Sequence, residues 1–536
     1  MIADTDSRLR PIALLLSLFF LVLFVLHIPL LRLPYFWDEA GYYVPAARDL
    51  LLTGSLIPHS TISNAHPPLV MAFLALTWKV AGYAPVVTRT AMLLIAAFSL
   101  VGVFRLAERI ANEEVATASV LCTAVYPVFF AQSSLAHLDL AAAGLTFWGL
   151  LAYVEDRPAG TALWFSLAVL AKETAILAPL ALLVWELAGK RLRHAANPVS
   201  RGSKAENERA LETQRSVALL FPLIPLLAWY TYHYLRTGFV FGNPEFFRYN
   251  VQTTLHPLRI LLALGLRLWQ VLGYFGIYLL TLATLFAMWL VPLQDQDGER
   301  RRIAIEVQIA FLAVIAAYVL AMAVVGGAVL ARYMLPVVPL VVIICISTLR
   351  RRVRYWRAVV TIVALAFVAG LFINPPYGFS MEDNLAYRDY IRLHQRAEDF
   401  VQARYATSRV LTAWPASDEL TRPYLGYVTR PIRVFRIEDF SAEQLFAAAD
   451  LRSGYDIAVV FSTKCEPPHA WFERWQRWQQ WKTQFFGYRR DMPPAAAAQI
   501  LGGQLVYSER RGGQWVGVIQ IEKLEEARKN ARNPLE

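Results

Sequence analysis

Apolar residues along this chain gather in runs of roughly twenty, separated by short polar or basic segments, and the pattern stops near residue 375. Runs of that length match an α-helix crossing the hydrocarbon core of a bilayer. The first, Pro11 to Leu31, follows Arg8 and Arg10. It is too long for a signal-peptide core and lacks a small-residue cleavage site before Trp37, so it predicts an uncleaved first transmembrane helix. Further runs lie near 84–107, 115–135, 138–154, 160–189 (two shorter helices broken around Lys172), 216–235, 270–292, 304–325, 328–349 and 357–374. Together they predict about eleven spans. Leu69–Gly82 is short for a crossing and carries Lys79, which predicts an amphipathic helix along the outer membrane interface.

After Asn374-Pro-Pro-Tyr-Gly378 the pattern becomes that of a water-soluble fold. β-like segments recur at Arg409–Ala413, Pro431–Phe435, Tyr455–Phe461 and Gln514–Ile521, with a helix-like stretch at Ala442–Leu451. The expected architecture is a polytopic all-α membrane bundle over residues 1–375, with an outer loop at about 32–83. A C-terminal soluble α/β domain follows over residues 376–536.

Composition agrees with a membrane protein: 57% of the 536 residues are hydrophobic and 17% charged. The net charge of +11 would suggest nucleic acid in a soluble chain, but the basic residues cluster between apolar runs. Lys190, Arg191, Arg193, Arg201, Lys204, Arg209 and Arg215 form one group, Arg300 to Arg302 a second, and Arg350, Arg351, Arg352, Arg354 and Arg357 a third. Such loops set topology. They predict a cytoplasmic N-terminus, an extracytoplasmic C-terminal domain and no nucleic-acid partner. Cys122 and Cys345 lie inside apolar runs, leaving Cys465 alone in the polar part, so neither an internal disulfide nor a cysteine metal site is implied. The tryptophan-rich segment His469–Trp481 reads equally as an interfacial belt or a carbohydrate-stacking surface.

The chemistry concentrates where the first span emerges, in Tyr35-Phe-Trp-Asp-Glu-Ala-Gly-Tyr-Tyr43, and in Ala65-His-Pro-Pro-Leu69. Carboxylates at a membrane boundary are costly, so Asp38 and Glu39 read as functional, although an acidic pair also starts helices. An outward-facing acid pair has no access to cytosolic nucleotides, so an activated substrate must already sit in the lipid. Polyprenyl-phosphate sugars meet that requirement. Transfer from them needs a base for the acceptor, cations for the departing phosphate, and tolerance of oxocarbenium-like charge.

The ordered set Tyr35–Tyr42, His66-Pro-Pro-Leu69, Arg89, Asp139, Ala171-Lys-Glu-Thr174, Thr237–Phe247 and Arg332-Tyr-Met-Leu-Pro336 resembles the GT-C glycosyltransferases of family 39 and their relatives. These include protein O-mannosyltransferases, lipid A aminoarabinose transferases and rhizobial galacturonosyltransferases. The resemblance covers roughly residues 10–375. It implies Asp38 as catalytic base, Glu39 as the neighbour that shapes the acceptor site, and His66, Arg89, Lys172 and Arg332 at the donor phosphate. Asp139, Glu173, Glu245 and Tyr333 are further candidates.

Plainer readings compete: a helix-start residue for His66, interfacial snorkelling for Arg89 and Arg332, and a mutually neutralised pair for Lys172 and Glu173. Two departures matter. Gly41 stands where the aminoarabinose transferases carry an arginine, and Ala65 where they carry an acidic metal-associated residue. Aminoarabinose transfer is therefore disfavoured and no metal ligand carries over. No particular cofactor is implied, and a divalent cation remains open.

The resulting expectation is an inverting glycosyltransferase of a bacterial or archaeal cell membrane. Its partners are membrane lipids, a polyprenyl-phosphate sugar donor, and a glycan, lipid or protein acceptor. The alternatives are a lipid-linked sugar transporter or flippase, which would show matching broken helices in two halves, and a non-catalytic membrane scaffold.

Overall fold

The computed structural model describes residues 2–196, 203–244, 248, 254–295, 298–465 and 474–522. The chain forms two compact units: Met1–Leu31 with Ala46–Leu371, and Arg32–Pro45 with Phe372–Glu536. The Asp38 segment thus belongs to the C-terminal unit, although it follows the first helix in sequence.

The first unit is helical. By length and composition, Pro11–Leu30, Pro85–Ile110, Leu211–Thr237, Pro257–Ala287 and Ile305–Val324 each suffice to cross a membrane. Leu69–Ala81, Asp139–Val154, Pro158–Ala171 and Trp356–Phe372 are shorter apolar helices. These features and the fold likeness reported below are those of an integral membrane protein. A short hairpin joins β1 (Gln294–Asp295) to β2 (Gly298–Glu299).

Three apolar runs fold differently from expectation, and the one at 115–135 is split at Tyr126 into Glu113–Val125 and Pro127–Gln132. Where a span was expected at 270–292, the helical segment runs from Pro257 to Ala287, and Arg259 and Arg267, which interrupt the apolar pattern, are buried rather than displayed to water. The run at 328–349 is broken: Ala331–Met334 is a 3-10 turn and the helix starts only at Val338, after Pro336 and with Pro339 in its first turn. Proline supplies no N–H, so it is tolerated at a helix start and ends one elsewhere.

Small residues set the packing that positions the site. A Cβ on Gly149 would stand 2.7 Å from Cε1 of Phe165, and one on Gly144 would overlap Ser99 Oγ. Their absence lets Asp139–Val154 lie close to Pro158–Ala171 and Pro85–Ile110. The first two form an antiparallel hairpin of matched length, which brings Asp139, at the start of one helix, beside Lys172, just past the end of the other.

In the C-terminal unit a five-stranded sheet has the order β4-β3-β5-β7-β6. Here β3 is Arg409–Ala413, β4 Arg433–Ile437, β5 Ile457–Phe461, β6 Gly503–Arg511 and β7 Gln514–Ile521. β3 is parallel to β4 and β5, while β7 runs antiparallel to β5 and β6. The all-apolar β5 is buried along its length, as a central strand covered on both faces requires. β6 shows a mixed pattern and was not among the strands expected from sequence. The amphipathic helix Ala386–Tyr405 buries Tyr390, Ile391, His394, Ala397, Glu398 and Val401.

Candidate functional site

Within the helical unit the hairpin just described places Lys172 Nζ 2.5 Å from Asp139 Oδ1. Arg332 Nε, from the 3-10 turn, lies 3.3 Å from the other carboxylate oxygen. All three side chains are buried. Their common neighbour is Tyr333: Lys172 Nζ is 4.1 Å from the ring centroid, Arg267 Cζ 5.4 Å and Arg332 Cζ 5.8 Å. Cations over an aromatic face are held by its quadrupole. Arg332 Nη1 also lies 3.0 Å from His137 Nδ1, which lies 2.7 Å from Gln132 Oε1. Arg89 Nη1 donates to the Ser134 carbonyl at 2.7 Å, between Gln132 and His137 in the chain.

The helix Pro257–Leu272 fixes the loop that leads into the Arg332 turn. Arg259 donates to the Ala323 and Gly326 carbonyls at 3.1 and 2.5 Å, Arg267 to Met322 and Leu330 at 3.2 and 2.8 Å, and Gln270 to Val329 at 2.9 Å. Irregular backbone at membrane depth survives only when its carbonyls find such donors. Lys172, Arg267 and Arg332 thus lie over the Tyr333 ring, and Asp139 pairs with two of them.

A second pair lies on the residue after Lys172: His66 Nδ1 is 3.0 Å from Glu173 Oε2. Sequence adjacency suggested that Lys172 and Glu173 pair with each other; instead each takes a different partner. The loop carrying His66 is held by the helix Leu223–Thr237. Trp229 Nε1 donates to the Ala65 carbonyl at 2.8 Å, and Ser63 Oγ is 2.8 Å from His233 Nε2. Ala65 sits at φ +56°, a conformation unusual for a side-chain-bearing residue.

In the C-terminal unit, Asp38 and Glu39 differ in situation. Glu39 is fully buried and its Oε2 accepts the Phe36 N–H at 2.8 Å, so it shapes its own loop. Asp38 is half-buried. Trp37 between them and Phe36 adopts φ +46°, a strained turn held by packing: its ring meets Tyr390 at 5.6 Å and Trp414 at 5.3 Å, edge to face. Tyr427 Oη donates to the Tyr35 carbonyl at 3.0 Å.

The structure thus brings Asp139, Lys172, Arg332 and Tyr333 together, pairs His66 with Glu173, ties Arg89 to Ser134, and places Asp38 and Glu39 in the other unit. Glu245 lies outside the described residues, as does part of the tryptophan-rich segment. Sequence reasoning missed His137, Gln132, Arg259, Arg267 and Gln270. The signal for the two arginines was there, since charge inside an apolar helix is rarely idle. As for a metal, Ala65 offers a methyl group and no ligand. Among the described residues, the three metal-ligating side chains that converge are His394, Glu398 and Glu419, in the C-terminal unit.

Comparison with known proteins identifies the fold. The family model described as dolichyl-phosphate-mannose-protein mannosyltransferase matches residues 65–200, which include His66, Arg89, Asp139, Lys172 and Glu173. No curated protein matches the chain by sequence. Among solved structures, ArnT from Cupriavidus metallidurans bound to undecaprenyl phosphate is 13% identical, with a TM-score of 0.52 over 94% of this chain and 97% of that one. The apo state of the same protein gives 12% identity and a TM-score of 0.50 over 96% and 98%. The archaeal oligosaccharyltransferase AglB from Archaeoglobus fulgidus, in complex with an inhibitory peptide and a dolichol-phosphate, gives 11% and 0.45 over 94% and 74%. The chain has the GT-C membrane fold and resembles the glycosyltransferases of family 39.

Proposed function

We propose that this protein is a membrane glycosyltransferase that moves a sugar from a polyprenyl-phosphate donor to an extracytoplasmic glycan, lipid or protein, with inversion at the anomeric carbon. The observation that carries the reading is the Tyr333 cluster, where Lys172, Arg267 and Arg332 gather over one ring in the interior of an apolar unit. Buried cations gathered in this way make a favourable environment for a phosphate. The likeness to ArnT, which has been solved with undecaprenyl phosphate, supports the same assignment.

In this reading the acceptor oxygen forms a bond to the anomeric carbon as the carbon–phosphate-oxygen bond breaks. The acceptor proton passes to Asp38, and the electron pair of the broken bond leaves on polyprenyl phosphate. Lys172 and Arg332 neutralise that charge, Asp139 holds both in register, and Tyr333 lies beside them. Arg89 and His66 complete the donor side. Glu39 keeps the Asp38 loop in shape. Residues 1–375 form the transfer module and 376–536 an extracytoplasmic domain, with the N-terminus cytoplasmic.

The test is to purify the protein in nanodiscs, identify the lipids that co-purify, and supply labelled polyprenyl-phosphate sugars. Sugar release that depends on added acceptor is the expected outcome; a protein that binds no polyprenyl phosphate and releases no sugar is not this enzyme.

A further inference from the structure

We propose that His394, Glu398 and Glu419 form a buried site for a divalent metal ion in the C-terminal unit, independent of the donor site. His394 and Glu398 are four residues apart on the helix Ala386–Tyr405 and so share one face. Glu419 comes from the short helix Ala416–Thr421, which follows β3 at its carboxyl end, the end at which open α/β sheets collect ligands. One ligand atom from each lies within 4.8 Å of the others.

The second observation is their burial. Glu398 and Glu419 are fully buried, and His394 is 2% exposed. Nε2 of His394, one oxygen of Glu419 and both oxygens of Glu398 lack a hydrogen bond of normal geometry among the described residues, and the Glu398 carboxyl faces that of Glu419. Two carboxylates enclosed this way demand a compensating positive charge, and among the described residues their ionic contacts are to His394 alone. A proton and a metal ion are the two candidates. In favour of the proton, burial and the adjacent Glu419 hold the Glu398 carboxyl well above its ordinary range. In favour of the ion is the donor set itself: a shared proton bridges two atoms, whereas an ion takes donors from all three residues.

One imidazole nitrogen with two carboxylates suits a borderline ion such as Zn²⁺. His394 Nδ1 stands 2.6 Å from Glu419 Oε2, closer than the roughly 3 Å or more between two ligands of one zinc. The ion therefore enters by displacing the proton shared in that contact, and binding releases protons.

The site would brace the acidic loop. Tyr390 stacks on the His394 ring at 3.9 Å and stands edge-on to Phe36 at 5.2 Å, Trp37 at 5.6 Å and Phe461 at 6.1 Å. Fixing the imidazole fixes the tyrosine against which the strained Trp37 turn rests.

The experiment uses the full-length protein in detergent, stripped with chelator, reloaded with Zn²⁺ or Co²⁺ and desalted. The expected result is about one ion per chain by elemental analysis, d–d absorption bands of protein-ligated Co²⁺, and a rise in unfolding temperature on adding Zn²⁺. Glu398→Gln and Glu419→Gln keep side-chain volume and remove a ligand; each should fold, lose the bound ion and lose the Zn²⁺-dependent rise. Glu443→Gln, on another helix, should retain both. An unmodified protein that binds no ion after desalting, or variants that keep it, would overturn the proposal in favour of a shared proton or a surface-bound ion. None of these readouts depends on sugar transfer.

Discussion

A Cβ on Gly41 would stand 2.7 Å from Cζ2 of Trp414, so the indole of the C-terminal unit occupies the space that any side chain at position 41 needs. This accounts physically for the missing arginine: at this position the loop has traded a side chain for an aromatic partner. Gly41→Ala should lower the unfolding temperature by the equivalent of about 1–3 kcal/mol, the usual cost of overpacking. The double variant with Trp414→Ala should lose less than the sum of the two single losses, because the clash has gone. Additive losses, read by thermal unfolding in detergent, would show that the two residues do not press on each other.

Asp139 lies between two cations, Lys172 and Arg332, and this makes the three unequal. Asp139→Asn leaves two buried positive charges facing each other, whereas Lys172→Met leaves one acid still beside one arginine. Removing one partner of a buried ion pair costs about 3–5 kcal/mol. Asp139→Asn should therefore destabilise the protein more than Lys172→Met, and the reverse order would contradict the geometry.

Arg332 presents a planar fork, and its replacement by lysine keeps the charge while losing the paired donors. Arg332→Lys should fold but bind undecaprenyl phosphate about tenfold more weakly, within the range of one charge-assisted hydrogen bond. The acceptor KM should not move. Equal binding in both proteins would take Arg332 out of the donor site.

All three cysteines are buried, so labelling of the native protein should be slow and introduced cysteines readable. Ser453→Cys and Arg301→Cys lie on exposed positions of the two units. A membrane-impermeant maleimide should label position 453 in intact spheroplasts and position 301 only after permeabilisation. The opposite pattern would invert the membrane orientation.

Much of the fold was legible because the bilayer imposes a simple rule on length and polarity. The break at Lys172 is such a case: a charge in an apolar run ends the helix at Ala171. The same rule misread Arg259 and Arg267, whose charges are used inside the unit to hold carbonyls rather than to mark a boundary. Among the soluble strands, Gln514–Ile521 was readable from its apolar run, but Gly503–Arg511 is an edge strand whose mixed burial hides its period. In the site, motif order pointed to Asp139, Lys172 and Arg332 as separate candidates, while their mutual contacts depend on hairpin geometry that no local pattern states. His394 and Glu398 show helical spacing in sequence, yet Glu419 joins them only through the fold. The membership of residues 32–45 in the C-terminal unit is likewise a tertiary fact, carried by contacts such as Tyr427 with Tyr35.

The most direct measurement is single-turnover transfer of labelled sugar from polyprenyl phosphate by Asp38→Asn in nanodiscs. Asparagine keeps the shape of the side chain and removes its basicity, so the variant should fold, insert and bind the lipid donor. Transfer should fall by roughly 10²–10⁴-fold, the usual effect of losing a general base. Glu39→Gln, which disturbs the loop rather than the proton, should lose less. Near-full activity in Asp38→Asn with an inactive Glu39→Gln would exchange the two roles, and near-full activity in both would leave the proposed reaction without its base.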